Sequence, residues 1–449
     1  MALHPKPRDL DQIHTNDPIE LSSRVIDSGF ADEPTNRVTN RATELRDDIA
    51  LVESFSHIVV VRTRGGLVCF DSSGHLTGAA CTESLRGWST ARIDKLVYTH
   101  GHFDHVGGSP FLFADAERRG YEPPQVIGHE NVPKRFQRYD DMSGWNVIIN
   151  RRQFGGVSPR HGLQAPTNER FIQDSVWPDV TYRDHHTLEV DDLVIELHHA
   201  KGETDDHTWA WIPAHKTLCV GDLVVWVFPN AGNPQKVQRY PLEWASVLRT
   251  LMSYDAELLI PAHGLPIAGR SRITRVLGDM ATALEALVAE TIDRMNVGQT
   301  LDTIIHEVHV DPDLMELPWM APMYDEPEFV VRNVWRMYGG WWDADPAHLK
   351  PSPKADLAKE LATLVGGVDN LTSRAREVAD SGNFRLGCHL IELAVQAEPD
   401  NRSAHALRAD IYTERRRAES SLMAKGIFSA AAQESTEYVD RTGGIGSGG

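Results

Sequence analysis

The segment Thr99-His100-Gly101-His102-Phe103-Asp104-His105-Val106-Gly107-Gly108 gathers three imidazoles and a carboxylate within six positions, directly after the apolar run Ile93-Asp94-Lys95-Leu96-Val97-Tyr98. On extended backbone, residues i and i+2 project to the same face. His100 and His102 can therefore hold one cation together, and a turn after them lets Asp104 and His105 face a second. Neutral imidazole and carboxylate are the donors that zinc, iron or manganese accept, and a hydrolytic pair of such ions sits roughly 3.5–4 Å apart. The alternative is a polar loop that is rich in histidine by chance, and the closing Val106-Gly107-Gly108 adds to the specificity that argues against it.

The elements around this motif read as strands alternating with helices. His57–Arg62 and Leu67–Asp71 are expected to form a hairpin about Gly65-Gly66. Asp71 ends the second strand, either as a turn cap or as a support for a ligand. Ala79–Trp88 and Pro110–Gly120 suit helices, Val126–His129 a strand, and Leu188–His199 and Thr208–Pro213 further strands. Asp222 and His263 each close a buried apolar run, Leu218–Gly221 and Leu258–Ala262, where an unpaired polar group is costly. This pattern predicts an α/β sandwich. The stretch Asn131–Gly156 mixes Arg135, Arg138, Tyr139, Arg151 and Arg152 with aromatics; it reads either as a loop clamping an anionic head group or as a solvated helix face. From Ser271 on, the strand pattern gives way to long helical stretches. Helix-turn-helix joints at Ser381-Gly382-Asn383 and Glu398-Pro399-Asp400-Asn401 suggest a tetratricopeptide-like all-α region. The predicted organisation is an extended N-terminal arm over 1–43, a catalytic domain over 44–270, a helical domain over 271–435 and a flexible tail over 436–449.

A net charge of −19 argues against nucleic acid as partner but not against an anionic small substrate, because metal ions and local cations set the field inside a pocket. No apolar run approaches a membrane span and the N-terminus lacks a signal-peptide core, so no membrane partner and a cytoplasmic location are expected. Cys69, Cys81, Cys219 and Cys388 are scattered, which points to buried free thiols.

The histidine motif resembles the metal-binding signature of the metallo-β-lactamase fold, which implies an αββα sandwich and a metal-dependent hydrolase. In that fold a third His usually precedes a bridging Asp by 19 residues. Here Glu203 stands 19 residues before Asp222 (203 to 222). A Glu at this point is similar to the alkylsulfatase branch. The resemblance implies His100, His102 and Glu203 on one ion, Asp104, His105 and His263 on the other, and Asp222 between them, with Asp104 and Asp222 as the catalytic carboxylates. His207 is the competing third ligand and otherwise lies in the pocket or behind the ligands. The resemblance also implies that Asp71 orients a metal-binding His. Two Zn2+ ions are expected, with Mn2+ or Fe2+ as alternatives. The segment Asn230–Tyr240 lies where the family carries its sulfate-binding groups. With Tyr139, Arg151, Arg152 and His207, its Asn233, Lys236 and Arg239 make up the expected substrate contacts.

Met323–Trp342, Pro346–Pro351 and Leu422–Phe428 resemble the alkylsulfatase dimerisation domain, which implies a homodimer built with Trp335, Met337, Tyr338, Trp341 and Trp342. The resemblance leads us to expect that the family's sterol-carrier-like third domain is missing from these 449 residues, which counts against long-chain substrates. The implied reaction is hydrolysis of a small, anionic alkyl sulfate ester by a metal-bound hydroxide. Lactone, phosphodiester and thioester hydrolysis are the alternatives on the same fold.

Overall fold

The computed structural model describes residues 14–155, 171, 174–191 and 193–443. The first part of the expected arm (1–13), Gly156 and the glycine-rich end of the tail (444–449) lie outside the described residues.

Among the described residues the strands form two mixed sheets. The first runs β1 (Arg41–Arg46), β2 (Ile49–Glu53), β3 (Ile58–Arg62), β4 (Leu67–Phe70), β5 (Ile93–Val97), β6 (Gln125–His129) and β7 (Val180–Tyr182) in that spatial order. β1 to β4 pair antiparallel; β4 to β7 pair parallel. Parallel neighbours need crossovers, and the helices that follow supply them. The second sheet contains β8 (His185–Val190), β9 (Leu193–Ala200), β10 (His207–Ile212), β11 (Thr217–Gly221), β12 (Leu258–Pro261) and β13 (Ile267–Ala268), in the order β13-β12-β11-β10-β9-β8.

Period-two alternation decides how these sheets pack. In β3, Val59 and Val61 join a core with Ile195, Leu197, Ala210 and Ile260 of the second sheet, while Ile58 and Val60 face the other way. That outer core is shared with α2 (His75–Trp88), α4 (Ser109–Arg119) and α5 (Asn131–Asp141) through Leu85, Leu112 and Phe136. α7 (Pro241–Met252) and α8 (Arg270–Asn296) pack together over the second sheet. The result is an αββα sandwich. All four cysteines are buried and free.

The N-terminal arm needs correction, because Pro18–Ser28 forms a helix, α1, rather than extended chain. The Asp17 side chain caps the amides of Ile19 and Glu20, Pro18 opens the first turn, and Gly29 closes the helix at φ 69°. Leu21, Val25 and Ile26 fall on its buried face. The expected single strand Leu188–His199 is a hairpin, β8 and β9, with Asp191 at φ 56°. Asn131–Phe154 is helical, as α5 and α6 (Ser143–Phe154).

Two compact units emerge. One holds both sheets and continues through α11 (Pro327–Gly339). The other holds residues 340–449 with Ile148–Gly156 and Thr300–Asp302. It is helical, with α13 (Lys354–Leu364), α14 (Val368–Asp380), α15 (Phe384–Ala397), α16 (Arg402–Ala418) and α17 (Leu422–Gly443) around a core of Leu371, Ala375, Ile391 and Ile411. Asn383 and Asn401 cap α15 and α16. Gly426 brings α17 against the end of α6, where an added Cβ would meet the carbonyls of Arg152 and Gln153 at 2.6 and 2.5 Å. Among the described residues, no helix is long and apolar enough to cross a membrane.

Candidate metal centre

The motif residues sit where strands of both sheets end. His100 and His102 follow β5, and the short helix α3 (Phe103–Val106) then carries Asp104 and His105. Asp222 follows β11 through Gly221 at φ 52°, and His263 follows β12. Gly264 turns there at φ 82°, where a Cβ would collide with the Trp226 ring, so glycine is required.

These side chains converge in two groups, His100 with His102 and Asp222, and Asp104 with His105 and His263. His100 Nε2 and His102 Nδ1 are 2.8 Å apart. Asp222 spans the groups: Oδ2 lies 3.8 Å from His100 Nε2, whereas Oδ1 lies 3.3 Å from His105 Nε2 and 3.4 Å from His263 Nε2. Asp104 Oδ2 is 3.5 Å from His105 Nε2 and 3.4 Å from His263 Nε2.

The outward ring nitrogens fix the tautomers. His105 Nδ1 donates to Asp71 Oδ2 at 2.8 Å, and the same carboxylate accepts the Thr99 amide and hydroxyl at 2.7 Å each. With its own proton given to Asp71, Thr99 Oγ1 accepts from His100 Nδ1 at 3.1 Å. His263 Nδ1 donates to the Phe55 carbonyl. In the neutral form of each ring, Nε2 is left as a lone pair aimed inward, the arrangement that metal-ligating imidazoles take. Asp71 thus touches a candidate ligand directly, beyond any capping of its turn.

A pair of cations fits this pocket. His105 Nε2 and Asp222 Oδ1 are buried without a hydrogen-bond partner, a costly state unless an ion supplies the missing contact. The electrostatics agree. Against the cost of burial, the carboxylates of Asp222 and Asp104 push His263 up to about 10 and hold His105 well above the usual imidazole range. Burial drives Glu203 up to about 8 although Arg239 pulls the other way, and Asp222 and Asp104 add to the rise. A carboxylate cluster that draws protons onto its histidines is one that divalent ions can neutralise.

Comparison with known proteins places both parts of the chain. Residues 51–263 match the metallo-beta-lactamase superfamily and residues 300–437 match the alkyl sulfatase dimerisation family. The chain joins a metallo-beta-lactamase domain to an alkyl sulfatase dimerisation domain. It is 24% identical over 335 residues to a linear primary-alkylsulfatase of Pseudomonas sp., covering 72% of this chain and 63% of that protein. It is 26% identical over 385 residues to the alkyl/aryl-sulfatase BDS1 of Saccharomyces cerevisiae, covering 79% and 57%. The chain thus spans about three-fifths of the length of these curated relatives. In fold it is similar to the stereoselective inverting sec-alkylsulfatase Pisa1 from Pseudomonas sp., with a TM-score of 0.77 at 22% identity, covering 89% of this chain and 66% of that one.

Within the metallo-beta-lactamase domain the remaining predicted residues separate. Glu203 Oε1 stands 3.8 Å from His102 Nδ1, facing the first group. Asn230 Nδ2 donates to the same oxygen, and Arg239 meets it at 3.2 Å while also donating to the Glu203 carbonyl. His207 faces the backbone of the bridging residue instead, since its Nε2 accepts the Asp222 amide at 3.0 Å and its ring stacks on His100. Arg239, expected to contact substrate, is buried and engaged with Glu203, because a carboxylate at a histidine position requires a compensating cation. Asn233 and Lys236 lie on the same loop, Asn233 buried at φ 31° and Lys236 half-buried. Burial, with Arg239 nearby, lowers the Lys236 ammonium to about 7. Tyr139 packs on Phe171, which in turn contacts Phe103 of α3. Arg151 and Arg152 belong to Ile148–Gly156 of the helical unit.

Several supporting residues are not predicted from the sequence. Arg135 donates to both oxygens of Asp206 at 2.7 and 2.9 Å, and Asp206 accepts the Gly101 amide at 3.0 Å between the two histidines. His57 grips the His263 turn through Ala262 O at 2.8 Å and Gly264 O at 2.6 Å. Asp325 accepts the amides of Gly232 and Asn233, and Asn333 ties Ala231 to Gln238 and Arg239. The acid in Lys201-Gly202-Glu203-Thr204-Asp205-Asp206-His207 is visible in the chain; its role is not, since the partners are 71 and 105 residues away.

Proposed function

We propose that this chain is a binuclear metal-dependent hydrolase that cleaves alkyl sulfate esters, with two zinc ions held by His100, His102, Glu203, Asp104, His105, His263 and the bridging Asp222. The observation that carries the reading is Asp222, whose two oxygens face one histidine group each, in a chain that also has an alkyl sulfatase dimerisation domain. The sulfate ester is inferred from the relatives, which are alkylsulfatases.

When bound, divalent ions at this site would acidify water and offset charge on the ester oxygens. The protein does the positioning. Asp71 and Thr99 orient the imidazoles of His105 and His100, and Asp104 turns Oδ2 toward His105 and His263, where it would help hold an ion. Asn233 and Lys236 lie on the loop after Asp222 and offer an amide and an ammonium to the anionic head group. Arg239 opposes the burial that raises the Glu203 carboxyl, and with Asn230 it holds that carboxyl in place.

The test is sulfate release from short-chain alkyl sulfates, abolished by chelation and restored by zinc. Running it in oxygen-18 water assigns the broken bond: label in sulfate means attack at sulfur, label in the alcohol means attack at carbon. Sulfate release at background beside turnover of a lactone, phosphodiester or thioester sinks the sulfatase reading and leaves the metal centre standing.

A further inference from the structure

A third group of metal-ligating side chains lies on the opposite face of the second sheet. Pairing puts His185, His198 and Trp209 in one row across β8, β9 and β10, and Thr187, Glu196 and Trp211 in the next. Leu188, Ile195, Leu197 and Ala210 alternate with these and fill the core between the sheets, so the His/Glu row faces away from it. His185 and His198 are directly opposed, with ring centroids 4.9 Å apart, and His198 Nε2 is 3.4 Å from Glu196 Oε2. One donor atom from each of the three falls within 4.8 Å of the others. The His198 ring is not loose: it stacks on the buried Trp209 ring at 4.2 Å and 14°, and Tyr254 packs edge-on against that indole at 5.3 Å.

We propose that His185, Glu196 and His198 form an accessory site for a single divalent transition ion, separate from the binuclear centre. Two imidazoles and one carboxylate select ions such as zinc or copper(II), whereas magnesium and calcium demand oxygen donors. Register fixes all three residues on one face of a hairpin, so few degrees of freedom remain to be lost on binding. Part of each side chain is exposed, which leaves the remaining coordination positions to water. An ion there ties the end strand β8 to β9. No residue of the binuclear centre takes part, so the accessory site stands independently of the hydrolase reading.

The experiment uses the full chain, its His185→Gln/His198→Gln double variant and Glu196→Gln. Zinc per chain is counted after equilibrium dialysis, and copper(II) affinity is read from quenching of tryptophan emission, to which the stacked Trp209 contributes. The double variant is expected to bind one zinc ion fewer and to lose at least about tenfold in copper affinity, with basal hydrolysis unchanged. Glu196→Gln, which keeps both rings, is expected to weaken copper binding in the same direction. Unchanged zinc count and quenching in both variants overturns the site. So does loss of binding in the double variant that accompanies loss of its circular dichroism, if Glu196→Gln binds as the wild type does.

Discussion

A glutamate in place of an imidazole adds a negative charge to the ligand set, and the surroundings of Glu203 are built around that charge. Arg239 and Asn230 both converge on Oε1, and Arg239 is almost wholly buried to do so. Glu203→Gln keeps the shape and removes the charge. It leaves Arg239 buried without its counter-ion, and we expect a loss of roughly tenfold or more in metal affinity, read by metal content against a competing chelator. His207→Gln is the comparison. Its Nε2 accepts the Asp222 amide, so the substitution perturbs the bridge from behind without deleting a donor, and a smaller loss is expected. Two ions per chain in Glu203→Gln with wild-type activity, together with one ion lost in His207→Gln, would transfer the ligand role to His207. Residues of this kind are legible in the sequence where the signal is local. Four donors in six positions, or a carboxylate ending an apolar strand, announce themselves. Arg239 is legible only as a cation, because its partner lies 36 residues back and sequence alone does not show which of two anions, substrate or protein, it serves.

At the scale of elements, α5 is joined to the turn between β5 and α3 by a buried ion pair. Arg135 binds Asp206, Asp206 binds the amide of Gly101, and a Cβ at Gly101 would sit 2.9 Å from Arg135 Cδ. Asp206→Asn breaks one side of a buried pair, with only the half-exposed Asp205 left to Arg135. We expect a cost of about 3 kcal/mol in urea unfolding at pH 7. The sign with pH follows from the carboxyl. Burial alone would raise it, but Arg135 holds it well below its ordinary 3.8. Its stabilisation is therefore complete above about pH 4 and is lost as pH falls toward the folded-state value. The difference between wild type and Asp206→Asn should shrink in acid; a difference that stays constant down to pH 2 would show that the ion pair is not its source. Periodicity makes the strands and long helices readable, whereas α1 is hidden because four prolines dominate the first 43 residues and suggest extended chain. The cap Asp17-Pro18 and the spacing of Leu21, Val25 and Ile26 are the available signal.

At the scale of the whole molecule, the aromatic cluster expected to form a dimer divides. Trp335 is buried at 8% exposure, whereas Tyr338 and Trp341 remain exposed at 48% and 71%. We propose a homodimer that covers Trp341, and expect Trp341→Glu to shift the chain toward monomer in light scattering at micromolar concentration; a wild type already monomeric there excludes it. The division of labour along the sequence is less clean than the two family matches suggest. Asp325 and Asn333 fall within the segment matched by the dimerisation family, yet they pack with the sheets and brace residues 230–240 beside the metal centre. Asn333 donates to the carbonyls of Ala231 and Arg239 at 2.9 and 3.0 Å and accepts from Gln238 Nε2 at 2.8 Å, closing the loop at both ends. Asn333→Ala strands buried backbone groups at about 1–3 kcal/mol each and frees the loop that carries Asn233 and Lys236. With the metal ligands untouched, the expected result is a full complement of ions and a KM raised roughly tenfold. Loss of metal instead would mean that the loop supports Glu203 through Arg239 more than it holds substrate. Unchanged kinetics would mean that Asp325 alone suffices to brace it.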